Sequence, residues 1–286
     1  MKMNNPLRRS GDDPKTRRLR KGMYLLPSLF TTGNMAAGYY AISQAMQGSA
    51  SEAWHFDFAA RAIGFAILFD GLDGRIARMT HTTSEFGKEL DSLADVITFG
   101  VAPAVLAWMW GFRALPMDID PHLRTRLVHL GALATFLFLT AGASRLARFN
   151  IQKNPQPSNP GRPGKKYFVG MPIPAGAGVL AATVHFTHGE PISQWWLSLV
   201  WCGFVLAAGF LMVSTWRFYS FKDLDFAARH PARLILLIGL IIAATWYFSD
   251  YFLFFLGLTY MLSGLISRLL YLFRRPTVAP PEYKEA

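Results

Sequence analysis

The chain has 286 residues, 52% of them hydrophobic and only 16% charged, with a formal net charge of +11. Such a low charge content, with apolar residues in long blocks, argues against a soluble globular protein and for the membrane class. The positive residues cluster in the tails and in alternate loops, which is how a membrane protein sets its orientation and not how a nucleic-acid partner is bound. A lone cysteine, Cys202, excludes a disulfide framework.

Residues 1–22 carry Lys2, Arg8, Arg9, Lys15, Arg17, Arg18, Arg20 and Lys21. They read as a basic cytoplasmic arm, disordered or resting on anionic lipid, with no removable signal peptide. Eight apolar segments follow, near 23–46, 54–79, 89–112, 126–149, 168–187, 195–216, 232–248 and 250–273. Each is close to the roughly 20 residues that span a bilayer. In the second, Asp57 and Arg61 are four apart and neutralise each other near the outer interface. Lys and Arg recur in the N-terminal arm, in the loops after segments four and six, and at the C-terminal end. The loops near 47–53, 188–194 and 248–250 carry none. The positive-inside rule therefore places both termini and the 80–88 turn in the cytoplasm. Thr82 and Glu85 fit a capping box that starts the third helix. The stretch 150–168 is rich in Pro, Gly and Asn and reads as a solvated connector. GMPIPAGAG at 170–178 supplies small residues for close helix packing, and Trp195 and Trp196 read as interfacial anchors. His81, His129, His185 and His188 show no metal-binding spacing.

The chemistry gathers between Asp70 and Asp95. Asp70 and Asp73 are three apart and share a helix face. Gly87, Asp91 and Asp95, each four apart, form one line along the next helix. Two antiparallel helices would aim all four acids at one spot. Carboxylates cannot crowd together in low dielectric unless cations or protons neutralise them. Hard oxygen ligands suit Mg²⁺, Mn²⁺ or Ca²⁺ rather than Zn²⁺. Arg75, Arg78 and the small residues Gly74, Ala77 and Gly87 lie beside the acids, which together describe a phosphate site.

Asp70-x-x-Asp73-Gly74-x-x-Ala77-Arg78, then Gly87, Asp91 and Asp95 at their gaps, resembles the full signature of the CDP-alcohol phosphatidyltransferases. Within that family, YLLPSLFTTGN (24–34), SRLARFN (144–150) and FVGMPIPAGAG (168–178) resemble the integral-membrane branch that uses serine as acceptor, with Ser28 where relatives often carry Asn. The resemblance implies a two-metal centre, Mg²⁺ or Mn²⁺, held by Asp70, Asp73, Asp91 and Asp95, gripping the diphosphate of CDP-diacylglycerol. Asp91 and Asp95 then count as catalytic, with Asp95 the general base toward the serine hydroxyl. Gly74, Ala77 and Gly87 would let backbone approach the nucleotide, and Arg78 would meet its phosphates. Thr31 and Asn34 either line the nucleotide pocket or make interhelical hydrogen bonds, as does Thr32. Arg145 and Arg148, three apart, with Asn150 beyond, either hold the serine carboxylate or reach lipid phosphates.

The expected fold is an all-α polytopic membrane protein, a CDP-alcohol phosphatidyltransferase-like bundle of about eight transmembrane helices with both termini cytoplasmic. Its parts are the arm (1–22), a catalytic membrane domain (23–216), two added helices (217–275) and a polar tail (276–286). The expected partners are CDP-diacylglycerol, L-serine, membrane lipids and, from the family, a second copy in a homodimer. The expected setting is a bacterial cytoplasmic membrane with the site facing inward. The alternatives are another acceptor alcohol (glycerol 3-phosphate, an inositol compound or choline) and, remotely, a cation transporter. The absence of an internal repeat and the gathering of the acids at one end argue against the transporter.

Overall fold

A computed structural model of the chain describes residues 14–80, 85–151, 157–159, 167–220 and 231–273, with side chains described at 29–72, 85–151, 157–159, 167–220, 236 and 239–273. The helices are α1 (Pro14–Gln47), α2 (Trp54–Thr80), α3 (Glu85–Asp95), α4 (Ala102–Trp108), α5 (Pro121–Ile151), α6 (Ile173–Phe186), α7 (Trp195–Val213), α8 (Pro231–Tyr247) and α9 (Ser249–Phe273). α3 and α4 form one rod, Glu85–Arg113, interrupted by π-helical turns at Val96–Val101 and Met109–Arg113. Among the described residues, four helical stretches are long and apolar enough to cross a membrane: Glu85–Arg113, Pro121–Ile151, Trp195–Val213 and Ser249–Phe273. α6 is apolar but shorter, and α2 carries the acids discussed above. The chain is thus mostly helical, with the makings of a polytopic membrane protein.

Three expectations need correction. The chain is not all-α, because Tyr167–Val169 (β1) pairs antiparallel with Arg217–Tyr219 (β2) in a short ribbon. The fifth segment consequently becomes helical only at Ile173 and not at 168. Gly170, at φ +73, turns the chain out of β1, and extended Pro172 precedes the first helical turn. Third, the basic arm is helical from Pro14 onward, proline being well suited to a first helical position. The capping residue Thr82 and the loop charges on 152–156, 160–166 and 221–230 lie outside the described residues, as do 1–13 and the tail.

α1 packs on α2, α5 on α7, and α6 lies between α2 and α9. The shared core includes Phe56, Phe99, Phe112, Phe138 and Met212, all essentially without exposure. Outward, α5 leaves Leu133, Phe136 and Leu137 exposed, and α8 leaves Leu240, Ile242 and Trp246 exposed. In water each such side chain would forgo about 1.5–3 kcal/mol of burial; against lipid there is no such cost.

At one end of the bundle a polar cluster joins three helices. Asp57 of α2 pairs with Arg61 at 2.6 Å, as expected, and its other oxygen meets His185 Nδ1 of α6. The far nitrogen of His185 lies 2.9 Å from Ser249 Oγ at the start of α9. Asp57 and His185 are buried, so each needs the other as its partner.

Candidate functional site

α2 and α3 bring Asp70, Asp91 and Asp95 together as the spacing predicted. Each offers a carboxylate oxygen within 4.8 Å of the others. Asp73 lies one helical turn beyond Asp70 on the last part of α2. Its side chain, with those of Gly74, Ala77 and Arg78, lies outside the described residues. Gly87 and Asp91 lie on the successive turns of α3 that lead to Asp95, whose place is the last position before the first π turn. A π turn inserts a residue into the helical repeat and so rephases the residues beyond it. Thr98, within that turn and fully buried, donates from Oγ1 to the Asn34 carbonyl at 3.1 Å. Asn34 in turn points Nδ2 at Asp95 Oδ1, at 3.5 Å. Asn34 thus faces Asp95 from α1, with Thr31 buried one turn earlier.

The donor set fits a hard divalent cation. Asp91 Oδ1 and Asn34 Oδ1 are buried and lack hydrogen-bond partners among the described residues. No cationic side chain among those residues pairs with Asp70 or Asp91. Carboxylates this close, with an orphaned oxygen, are what a cation would satisfy.

The two arginines of SRLARFN separate. Arg145 is 7% exposed, and its Nε has no partner. Its guanidinium carbon lies 6.0 Å from the Phe149 ring, and it interacts electrostatically with Asp95 across the site. Arg148 is spent on structure: it donates to the carbonyls of Val213 at 3.0 Å and of Met212 and Ser214 at 3.4 Å, closing the end of α7. Asn150 donates to Ser92 Oγ at 3.0 Å, tying α5 to α3 at an exposed position. Of the expected acceptor residues, then, only Arg145 faces the carboxylates with an uncommitted donor.

Sequence reasoning missed Thr98 and His185. A histidine inside an apolar run is a functional or pairing candidate by default, and that signal was present for His185 in VLAATVHF. Nothing local to Thr98 announces the π turn around it.

Apolar helices of membrane-spanning length thus stand with three clustered carboxylates and a buried arginine whose Nε has no hydrogen-bond partner among the described residues, the make-up of a polytopic membrane protein with a polar site. A family model described as CDP-alcohol phosphatidyltransferase matches residues 24–208, and the chain belongs to that family. It is 36% identical over 206 residues to the CDP-diacylglycerol–serine O-phosphatidyltransferase of Helicobacter pylori strain 26695, covering 70% of this chain and 74% of that one. It is 32% identical over 200 residues to the protein so named in Bacillus subtilis strain 168, covering 70% and 93%. A similarly named protein of Saccharomyces cerevisiae is 35% identical over 144 residues, covering 49% and 46%. α8 and α9 lie beyond the stretch that the family model matches.

Proposed function

We propose that the chain makes phosphatidylserine, transferring the phosphatidyl group of CDP-diacylglycerol to the hydroxyl of L-serine and releasing CMP. The carrying observation is the convergence of Asp70, Asp91 and Asp95, with the buried Arg145, whose Nε lacks a hydrogen-bond partner among the described residues, in electrostatic contact with Asp95. Asp70, Asp91 and Asp95, with Asp73, would hold two divalent cations, Mg²⁺ or Mn²⁺. When bound, these supply charge neutralisation for the lipid diphosphate and the departing CMP. The protein's own groups do the rest. Asp95 takes the proton of the serine hydroxyl as its oxygen bonds to the lipid-side phosphorus and the bond to the CMP oxygen breaks. Asn34 orients Asp95. Arg145 receives anionic oxygens, those of the serine carboxylate or of a lipid phosphate. Arg78 meets the nucleotide phosphates, and Gly74, Ala77 and Gly87 leave room for the nucleotide, with Thr31 at its margin.

Serine is favoured over a phosphorylated acceptor for two reasons. The relatives are named for serine, and a phosphorylated alcohol wants several cationic donors. With Arg148 occupied by carbonyls, Arg145 stands alone among the expected pair. The topology that accompanies this reading has eight spans, both termini and the carboxylates on the cytoplasmic side of a bacterial inner membrane, residues 23–216 as the catalytic unit, and a homodimer. The test is purified protein given CDP-diacylglycerol, labelled serine and Mg²⁺ or Mn²⁺. Labelled phosphatidylserine and stoichiometric CMP support the reading; transfer to glycerol 3-phosphate, inositol or choline in its place refutes it.

A further inference from the structure

Four threonines of the apolar helices, Thr135, Thr140, Thr183 and Thr245, each donate to the carbonyl four residues earlier, at 2.8–2.9 Å. That is the ordinary way for a hydroxyl to be satisfied within a helix. Thr98 does otherwise. Its hydroxyl leaves the π turn at Val96–Val101 and crosses to α1, where it donates to the Asn34 carbonyl at 3.1 Å. Thr98 and Asn34 are both fully buried, so the bond is made away from solvent.

The crossing depends on Gly38, one turn beyond Asn34 on α1. A Cβ at that position would lie 2.5 Å from Thr98 Oγ1 and 2.9 Å from Thr98 Cα. No side chain fits there, so the π turn rests against the bare backbone of α1 between Asn34 and Gly38. Asn34 is thereby held to the rod at two points. Its carbonyl takes the Thr98 hydroxyl, and its Nδ2 reaches Asp95 Oδ1. The two holds are unequal. The amide contact is 3.5 Å long, and Asn34 Oδ1 has no hydrogen-bond partner among the described residues. A contact of that length is lost with a small shift of α1. The aim of the amide therefore depends on where the Asn34 backbone sits, and the Thr98 hydroxyl fastens that backbone.

We propose that Thr98 is a positioning residue for the transfer step: it fixes the backbone of Asn34, and through it the amide that faces Asp95. The proposal rests on the serine-transfer reading above, in which Asp95 takes the proton of the acceptor hydroxyl. In this role Thr98 touches no reacting atom. Its effect belongs to the rate of transfer, because a misplacement of about 1 Å at a reacting group can cost about 10²-fold in rate.

The test is Thr98→Val, which keeps the branched shape and removes the hydroxyl. With CDP-diacylglycerol, L-serine and Mg²⁺ or Mn²⁺, kcat for CMP release should fall about tenfold, while KM for each substrate stays within about twofold. Thr98→Ser, which restores the hydroxyl, should recover at least about half of the wild-type kcat. The deciding measurement repeats Thr98→Val in an Asn34→Ala background. The amide is gone there, so Thr98 has nothing left to position, and kcat should change by less than about twofold. A threonine that only supports packing would cost the same factor in both backgrounds, and that result overturns the assignment. So does a Thr98→Val kcat equal to wild type, a Thr98→Ser protein as slow as Thr98→Val, or an Asn34→Ala protein with wild-type kcat. Wild-type protein that releases no CMP with serine defeats the underlying transfer reading instead.

Discussion

Asp95 and Arg145 carry opposite halves of the proposed chemistry, so their variants should fail differently. Asp95→Asn keeps size and polarity but cannot take a proton. General-base contributions are about 10²–10⁴-fold, so CMP release should fall by at least that much while CDP-diacylglycerol binding persists. Full activity in Asp95→Asn would remove the base assignment. Asp91→Ala, by contrast, should lose metal-dependent nucleotide binding as well as turnover, readable by binding of labelled CDP-diacylglycerol with and without Mg²⁺. Arg145→Ala and Arg148→Ala form a second contrast. Arg145 has an orphaned donor and should show its effect in the serine KM. Arg148 is engaged by three carbonyls at the end of α7. Its loss should cost about 1–3 kcal/mol of stability, seen as a lower unfolding temperature in detergent, with the serine KM of the folded fraction unchanged. From sequence the two arginines look equivalent, three apart on one face. What separates them is the position of α7, some 65 residues further along the chain, and no local pattern encodes that.

Helical periodicity explains why the acids of α2 and α3 were legible. Spacings of three and four project onto one face whatever the tertiary context, and α2 and α3 bring three of those faces' acids together. The ribbon was not legible, because β1 and β2 are three residues each, β1 at the edge of a segment that reads as helix and β2 in what reads as the loop after segment six. The same holds for the Asp57–His185–Ser249 cluster, whose members come from three helices. The sequence pairs Asp57 with Arg61, and the structure keeps that pair. The structure gives its second oxygen to His185, and through it ties α9 to α2 and α6. Ser249→Ala should therefore loosen the start of α9, and Asp57→Asn should weaken the whole junction by about 1–3 kcal/mol as His185 loses its charged acceptor. Protease sensitivity of the α8–α9 hairpin, measured beside the intact core, would check both. Equal resistance in Asp57→Asn and wild type would show that the junction does not hold the hairpin.

Viewed as a whole, the bundle keeps its apolar residues outward on α5 and α8 and its acids inward at one place. The apolar outside is what composition announced, and the clustered acids are what the motif announced. The cations proposed for those acids sit at the junction of α2 and α3, whereas the core around Phe99, Phe138 and Met212 is built of apolar contacts. Chelation should therefore abolish turnover without unfolding the protein. Treatment with EDTA should drop CMP release to background, and excess Mg²⁺ or Mn²⁺ should restore it, while helical circular dichroism stays constant throughout. A stripped preparation that still turns over at full speed would rule out a metal-dependent site.

α9 is held at its start by His185 and further along by the ribbon, and it follows every other described element along the chain. A ribosome therefore translates it after all of them. Until Ser249 and Ser267 have emerged, the acids of α2 and α3 already exist, but His185 and the ribbon still wait for the side chains that α9 brings them. The order of synthesis thus fastens the two ends of the described fold last, so nascent chains halted before α9 carry the acids on a bundle whose closing contacts are still to be made.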